Sequence, residues 1–210
     1  MNKLKTLLLV LLFPVMAFSQ VEIVPSVGYM FGGGVKFYQG KLKVTDGMNY
    51  GVSIIVPDFK YATDLEISYT RLDSKARFTA YPGYPLYQDD EVNVSTNYFQ
   101  VGVLKSLGGD DMIKPFGSFS MGATVFSPKV SNYDDTWRFS ITLGLGAKLM
   151  FTERVGIMLR GRLMLPMNFG GVGGYYGIGS GGSGGGLYVD SYAALVQGDF
   201  SAGLILSLGK

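Results

Sequence analysis

The sequence predicts an all-β fold: a transmembrane antiparallel up-and-down β-barrel of eight strands. Three observations predict it. Apolar residues alternate with small or polar ones over long stretches, the opposite face is polar but sparsely charged, and short connections alternate with long ones.

The alternation is clearest over 137–151, where Trp137, Phe139, Ile141, Leu143, Leu145, Ala147, Leu149 and Phe151 fall on odd positions. The even positions are Arg138, Ser140, Thr142, Gly144, Gly146, Lys148 and Met150, all but the last small, polar or charged. A period of two is that of a strand with two chemically different faces. In chain order, the other strands are marked by Val27, Tyr29 and Phe31; by Tyr50, Val52 and Ile54; and by Leu65, Ile67 and Tyr69. Next come Phe99, Val101 and Val103; then Phe119, Met121, Ala123 and Val125. The last two carry Val155, Ile157, Leu159, Leu163 and Leu165, then Phe200, Ala202, Leu204, Leu206 and Leu208.

The two faces choose between a soluble sandwich and a membrane barrel. A soluble sandwich would carry many charges on its outer face. Here the long apolar face opposes mostly Gly, Ser and Thr with isolated charges, which suits lipid outside and a tight polar lumen inside. About 10 residues per strand cross the hydrocarbon when tilted, and open edges cannot exist there, so the strands must close. Short links are expected around Pro57-Asp58, Gly108-Gly109-Asp110-Asp111 and Thr152-Glu153-Arg154. Long loops are expected over 32–48, 72–96, 127–136 and 168–197, which puts turns in the periplasm and loops outside. Aromatic residues gather near both inferred edges. Tyr29, Phe31, Tyr50, Tyr69, Trp137 and Phe139 lie on the loop side, and Phe59, Tyr61, Phe116 and Phe151 on the turn side.

The head of the chain has the features of an export signal. Lys3 and Lys5 precede an apolar run over 7–18, and Ala17-Phe18-Ser19 supplies the small residues of a cleavage site. The run is too short to span a bilayer as a helix. Residues 1–19 are therefore expected to be a cleavable signal peptide, with Gln20 or Val21 first in the mature chain, and 20–210 to be one barrel domain. Of 18 Lys+Arg and 16 Asp+Glu, only Lys3 and Lys5 fall in that signal, so the remainder carries 16 of each sign. A neutral chain without a basic run has no electrostatic footprint for nucleic acid. The chain has no cysteine, which excludes disulfides and an acylated N-terminal Cys.

The segments Phe139-Ser-Ile-Thr-Leu-Gly-Leu-Gly-Ala-Lys-Leu-Met-Phe151 and Val155-Gly-Ile-Met-Leu-Arg-Gly-Arg162, joined by Thr-Glu-Arg, carry a resemblance. From about Val21 to Lys210 the chain resembles the eight-stranded outer-membrane β-barrels of the OmpA, OmpX and opacity type. The resemblance implies the fold and an outer-membrane location; these are fold motifs, not functional ones. One departure is the C-terminus: such barrels often end on an aromatic residue, and this chain ends Leu206-Ser-Leu-Gly-Lys210.

Polar residues on the inward face form the first candidate site: Glu22, Glu66, Gln100, Arg138, Lys148, Arg160, Arg162 and Asp199. An eight-stranded barrel is just wide enough for side chains to fill it, and charges buried there must be paired. They form either an ion-pair network that rigidifies the barrel or a narrow polar conduit. The second candidate is Tyr81, Tyr84 and Tyr87, on a stretch stiffened by Pro82 and Pro85. These rings suit recognition of a protein or glycan, or fold back on the rim.

No catalytic, cofactor-binding or metal-binding residues are expected. The chain has no histidine, the residue on which enzymatic barrels of the resembled kind generally rely. The acidic pairs in Asp89-Asp90-Glu91 and Asp134-Asp135 lie in expected loops, solvated or loosely binding divalent cations. The segment 168–190 has 11 Gly in 23 residues and the phosphate-loop-like spacing Gly179-Ser-Gly-Gly-Ser-Gly184. No Lys-Ser/Thr follows, so it is expected to be a flexible surface loop. The expectation is a monomeric outer-membrane barrel with a structural or surface-interaction role through its loops, touching membrane lipid and an extracellular protein or glycan. The alternatives are a narrow transport pore and an accessory barrel of an envelope secretion or assembly system.

Overall fold

A computed structural model describes residues 20–36, 40–61, 63–82, 90–109, 112–130, 134–179, 182–193 and 195–209, with 35–36, 168–179 and 182–193 described by their backbone. The expected signal peptide lies outside the described residues.

Eight long strands close the barrel: β1 (Val21–Phe31), β4 (Gly47–Val56), β5 (Thr63–Ala80), β6 (Asp90–Ser106), β7 (Ile113–Pro128), β8 (Thr136–Met150), β9 (Val155–Gly179) and β11 (Gln197–Leu208). Each pairs antiparallel with its neighbours. The circuit closes where β1 meets both β4 (Val27↔Tyr50) and β11 (Val27↔Ala202). Both ends of the described chain lie at one end of the barrel, where Val21 pairs with Leu208. The β4–β5, β6–β7 and β8–β9 connections start and finish at that end too.

The outward face is the apolar one. Val27, Ile67, Phe99, Val101, Met121, Leu143, Leu145, Leu159, Leu163, Phe200 and Leu204 are all exposed, while Glu66, Arg160, Arg162 and Asp199 are buried. Apolar side chains outside and ionised ones inside are stable only where the surroundings are hydrocarbon.

Three further strands build on the loop end. β2 (Gly34–Lys36) and β3 (Gly40–Val44) form a hairpin that docks on the upper part of β5, and β10 (Gly182–Ala193) folds back on the upper part of β9. Three expected loops are therefore mostly strand. Most of the 72–96 loop is strand, because β5 and β6 stay paired from Leu72↔Thr96 to Phe78↔Asp90. The 32–48 loop contains β2 and β3. The glycine-rich 168–190 segment is a β9–β10 hairpin rather than a flexible loop, with one bulge between Asp190 and Ser191.

The physical reason is common to these segments: a strand ladder needs only backbone groups, whereas the alternation that reveals it needs apolar side chains. Above Tyr69 the outward positions of β5 turn to Arg71, Asp73, Lys75 and Arg77, opposite Asn97, Ser95, Asn93 and Glu91. Complementary cross-strand pairs hold such a ribbon together without leaving an apolar stripe. In β9–β10, glycine removes the side-chain signal altogether.

Candidate functional site in the lumen and at the loop rim

The lumen is stacked in layers. At the turn-end mouth, Lys148 Nζ lies 2.8 Å from Glu22 Oε2 and 2.8 Å from Asp64 Oδ2. These three strands are well separated around the barrel, so the lysine bridges the opening, beside a mouth cavity of about 610 Å³. Above it Val24, Ile55, Leu104, Phe116, Met158 and Ile205 pack into a buried apolar cluster with Met150 against it. Phe116 points into the lumen, 3% exposed, and not into the turn-side aromatic edge expected of it. Gly146 makes the room: it pairs with Phe116, and a Cβ there would sit 2.6 Å from the Phe116 ring and 2.4 Å from the Leu159 carbonyl oxygen.

The middle of the lumen is ionic. Arg160 Nη1 donates to Glu66 Oε1 at 2.6 Å, and Nη2 reaches Ser53 Oγ at 3.4 Å. Arg162 grips Asp199 through Nε to Oδ1 at 2.6 Å and Nη2 to Oδ2 at 3.0 Å, and its Nη1 donates to Thr70 Oγ1 at 3.1 Å. Asn49 Nδ2 donates to the same Asp199 carboxylate at 2.6 Å. Gln100 Nε2 donates to Thr142 Oγ1 at 2.7 Å and to Ser140 Oγ at 3.3 Å. In the circuit β9 stands opposite β5, so the Arg160–Glu66 and Arg162–Thr70 contacts run across the diameter. The hydroxyl of Tyr98 on β6 donates to Gln197 Oε1 on β11, also opposite.

A second apolar cluster closes the loop end: Met30, Val44, Leu72, Tyr98, Met164 and Leu195, with Phe126 against it. The polar middle is thus enclosed between two plugs of packed side chains.

Of the inward residues expected from sequence, Glu22, Glu66, Gln100, Lys148, Arg160, Arg162 and Asp199 lie in these layers. Arg138 does not join them. It is third from the loop end of β8, half-buried, and its Nη1 turns back to the carbonyl of Trp137 at 3.0 Å. Asp64, Asn49, Thr70, Tyr98 and Gln197 were not singled out from sequence. The register rule alone would have placed Thr70, Tyr98 and Asn49 on the inward face, but nothing in the chain order says which partners they meet across the lumen. Among the described residues no group of three acidic side chains converges as metal ligands.

A second constellation sits on the outer flank at the loop end, above an aromatic belt. In that belt Tyr29 packs edge-on to Phe31, Phe31 edge-on to Phe200, and Tyr69 lies against Phe99. Above them Asp73 accepts from Arg71 Nη2 at 2.9 Å, Lys129 Nζ at 2.9 Å, Ser95 Oγ at 2.6 Å and the Tyr50 hydroxyl at 3.1 Å. The Arg71 guanidinium and the other donors hold the Asp73 carboxyl well below the usual carboxylate range, and the hydrogen bonds to Asp73 raise Arg71 in turn. Glu91 takes Lys75 at 2.6 Å and Arg77 at 2.6 Å, and those hydrogen bonds lower its pKa too. Of the loop tyrosines, Tyr81 is exposed at the end of β5, while Tyr84 and Tyr87 lie outside the described residues.

No protein-family model matches the chain, and no curated protein does. Solved structures do. The crystal structure of Neisserial surface protein A aligns with a TM-score of 0.55 at 10% identity, over 90% of this chain and 96% of that one. The outer membrane protein OprG of Pseudomonas aeruginosa aligns with a TM-score of 0.56 at 13% identity, over 91% and 97%. Identities this low speak to fold alone. Together with the closed circuit, the exposed apolar belt and the buried ion pairs, they define the class: the chain is an eight-stranded outer-membrane β-barrel.

Proposed function

We propose that this protein is a closed, non-enzymatic, monomeric barrel that holds a stiff β-extension above the outer membrane for contact with an extracellular protein or glycan. The observation that carries this reading is the β5–β6 ribbon. It remains paired for nine residues beyond Tyr69, out to Phe78, roughly 30 Å along the strand at about 3.4 Å per residue. Four ion pairs brace its flank, Arg71–Asp73, Lys129–Asp73, Lys75–Glu91 and Arg77–Glu91. A barrel that only fills the membrane has no use for such a stalk. The stalk leads toward Tyr81, Tyr84 and Tyr87, and in this reading those rings meet the partner. In this reading the lumen network of Glu22, Glu66, Gln100, Lys148, Arg160, Arg162 and Asp199 is the rigid base, and the two apolar plugs argue against a conduit.

The test is adhesion of cells displaying the full protein to immobilised matrix proteins and to an array of glycans. The variant with Tyr81, Tyr84 and Tyr87 replaced by Ala should lose binding while its unboiled form keeps the fast gel migration of a folded barrel. Equal binding by that variant, or no binding above cells lacking the protein, would remove the recognition role.

A further inference from the structure

The flank of the stalk carries more positive charge than its ion pairs use. Register sets Lys43 beside Arg77 and Lys41 beside Thr79, on the face that Lys75 also occupies, and Lys129 joins from the end of β7. With Arg71, that is six cations facing Asp73, Glu91 and, in the adjoining turn, Asp46, whose carboxylate accepts from the Gly32 N–H. From residue 20 onward the chain carries 16 charges of each sign, so this surplus is local. Lys75, Arg77 and Lys129 have side chains 56%, 64% and 52% exposed. Lys41 and Lys43 are exposed and form no ion pair among the described residues.

Two features decide what meets this surface. First, the cations continue the lipid-facing row. On β5 the outward positions run Leu65, Ile67, Tyr69, Arg71, Asp73, Lys75, Arg77, so the charge begins one row above the aromatic belt. A lipid held at the belt by its acyl chains reaches this face from below through its headgroup, whereas a soluble partner approaching from outside meets the tip first. Second, each carboxylate already has an arginine, Asp73 from Arg71 and Glu91 from Arg77, so Lys75 and Lys129 are second cations on sites already neutralised.

We propose that this flank is a docking surface for a lipid of the loop-side leaflet whose headgroup bears phosphate. Lys129 and Lys75, the lower lysines of the flank, meet the headgroup phosphate, and Lys43 and Lys41 meet anionic groups further from the membrane. Several lysines on one face suit this ligand because an ammonium binds phosphate as a point charge without a fixed approach geometry.

The experiment titrates the full detergent-solubilised protein with lipid A and reads bound lipid by native mass spectrometry. Removing three cations in K43Q/K75Q/K129Q leaves both arginine–carboxylate pairs in place, so the fold should persist, as fast migration of the unboiled protein would verify. At about 1 kcal/mol per cation near an anionic surface, removing three should lower affinity on the order of a hundredfold. The K43R/K75R/K129R variant should bind as the parent does, and lipid A stripped of its phosphates should bind weakly to all. Inorganic phosphate and heparin serve as soluble competitors and should displace little lipid. Unchanged affinity in the glutamine variant, equal binding of the phosphate-free lipid, or heparin outcompeting lipid A would each overturn the proposal, the last in favour of a soluble polyanion.

Discussion

Arg160 and Glu66 form a 2.6 Å ion pair between strands that face each other across the barrel, both side chains almost completely withdrawn from solvent. Such a pair is a strut: it fixes the distance between opposite walls, which no ladder hydrogen bond does. Its net contribution is small, since the attraction must offset two desolvated charges, but breaking it from one side strands a charge. Glu66→Gln should therefore cost about 3–5 kcal/mol. The paired replacement Arg160→Met with Glu66→Leu should cost clearly less. Urea titration of the folded protein in lipid vesicles reads both. A Glu66→Gln protein as stable as the parent would mean that Arg160 finds another partner in the lumen.

The loop-end ion pairs make a prediction about pH. Asp73 and Glu91 have pKa values below their ordinary ones, lowered by hydrogen bonds from Arg71 and Lys75 respectively. A carboxyl depressed in the folded state stabilises fully above its unfolded pKa, about 3.9 for Asp and 4.3 for Glu, and loses that contribution as pH falls through the folded value. Protection of β5–β6 amides above the belt should thus be flat from neutral pH to about 5 and fall below about 4. Hydrogen exchange resolved by residue measures this. In Asp73→Asn the fall should shrink around residues 71–75. A ribbon that loosened between pH 7 and 6 would contradict the assignment, because neither carboxylate titrates there.

What the sequence revealed and what it hid divide along the barrel wall. The lipid-facing row was legible because hydrocarbon imposes one rule at every outward position, so Trp137 to Phe151 announces itself. The lumen obeys a local rule. Met30, Leu104, Met158, Met164 and Ile205 stand on the polar parity and break the alternation, yet they are the seals. Phe116 shows the same limit: its place in the lumen depends on the absent side chain of Gly146 on the neighbouring strand, and pairing is not written in chain order. The charges Glu66, Arg160, Arg162 and Asp199 were identifiable as inward residues, but which partner each takes is set by strands up to half a circumference apart. The β5–β6 stalk stayed hidden because its outward positions carry paired charges instead of apolar groups.

The β6–β7 turn separates two costs that are usually confounded. Gly108 and Gly109 both have positive φ, 106° and 107°, in the region that disfavours side chains. A Cβ on Gly108 would meet nothing within 4 Å, while one on Gly109 would sit 2.2 Å from the Ile113 carbonyl oxygen and 2.6 Å from the Pro115 ring. Gly108→Ala then carries the backbone strain alone, about 1–2 kcal/mol, and Gly109→Ala carries that plus a clash with atoms that cannot move freely. Refolding yield and urea midpoint should rank parent, Gly108→Ala, Gly109→Ala in that order. Equal effects would show that the turn shifts to relieve the contact.

The two apolar plugs predict how the lumen conducts. Because they act in series, removing one should leave the other to exclude water. Phe116→Ala with Met158→Ala opens only the turn end, and Leu72→Ala with Met164→Ala opens only the loop end. Neither pair, nor the parent, should pass current in planar bilayers. The fourfold variant should, and its current should change when Arg162 is neutralised, since that guanidinium would then line the water path. Each large-to-small change costs about 2–5 kcal/mol, so fast migration of the unboiled protein must first show that the barrel survives. Current through the parent would refute the sealed lumen. A folded fourfold variant that stays silent would assign the barrier to the Arg160–Glu66 and Arg162–Asp199 layer instead, which Arg160→Ala in the same background would then relieve.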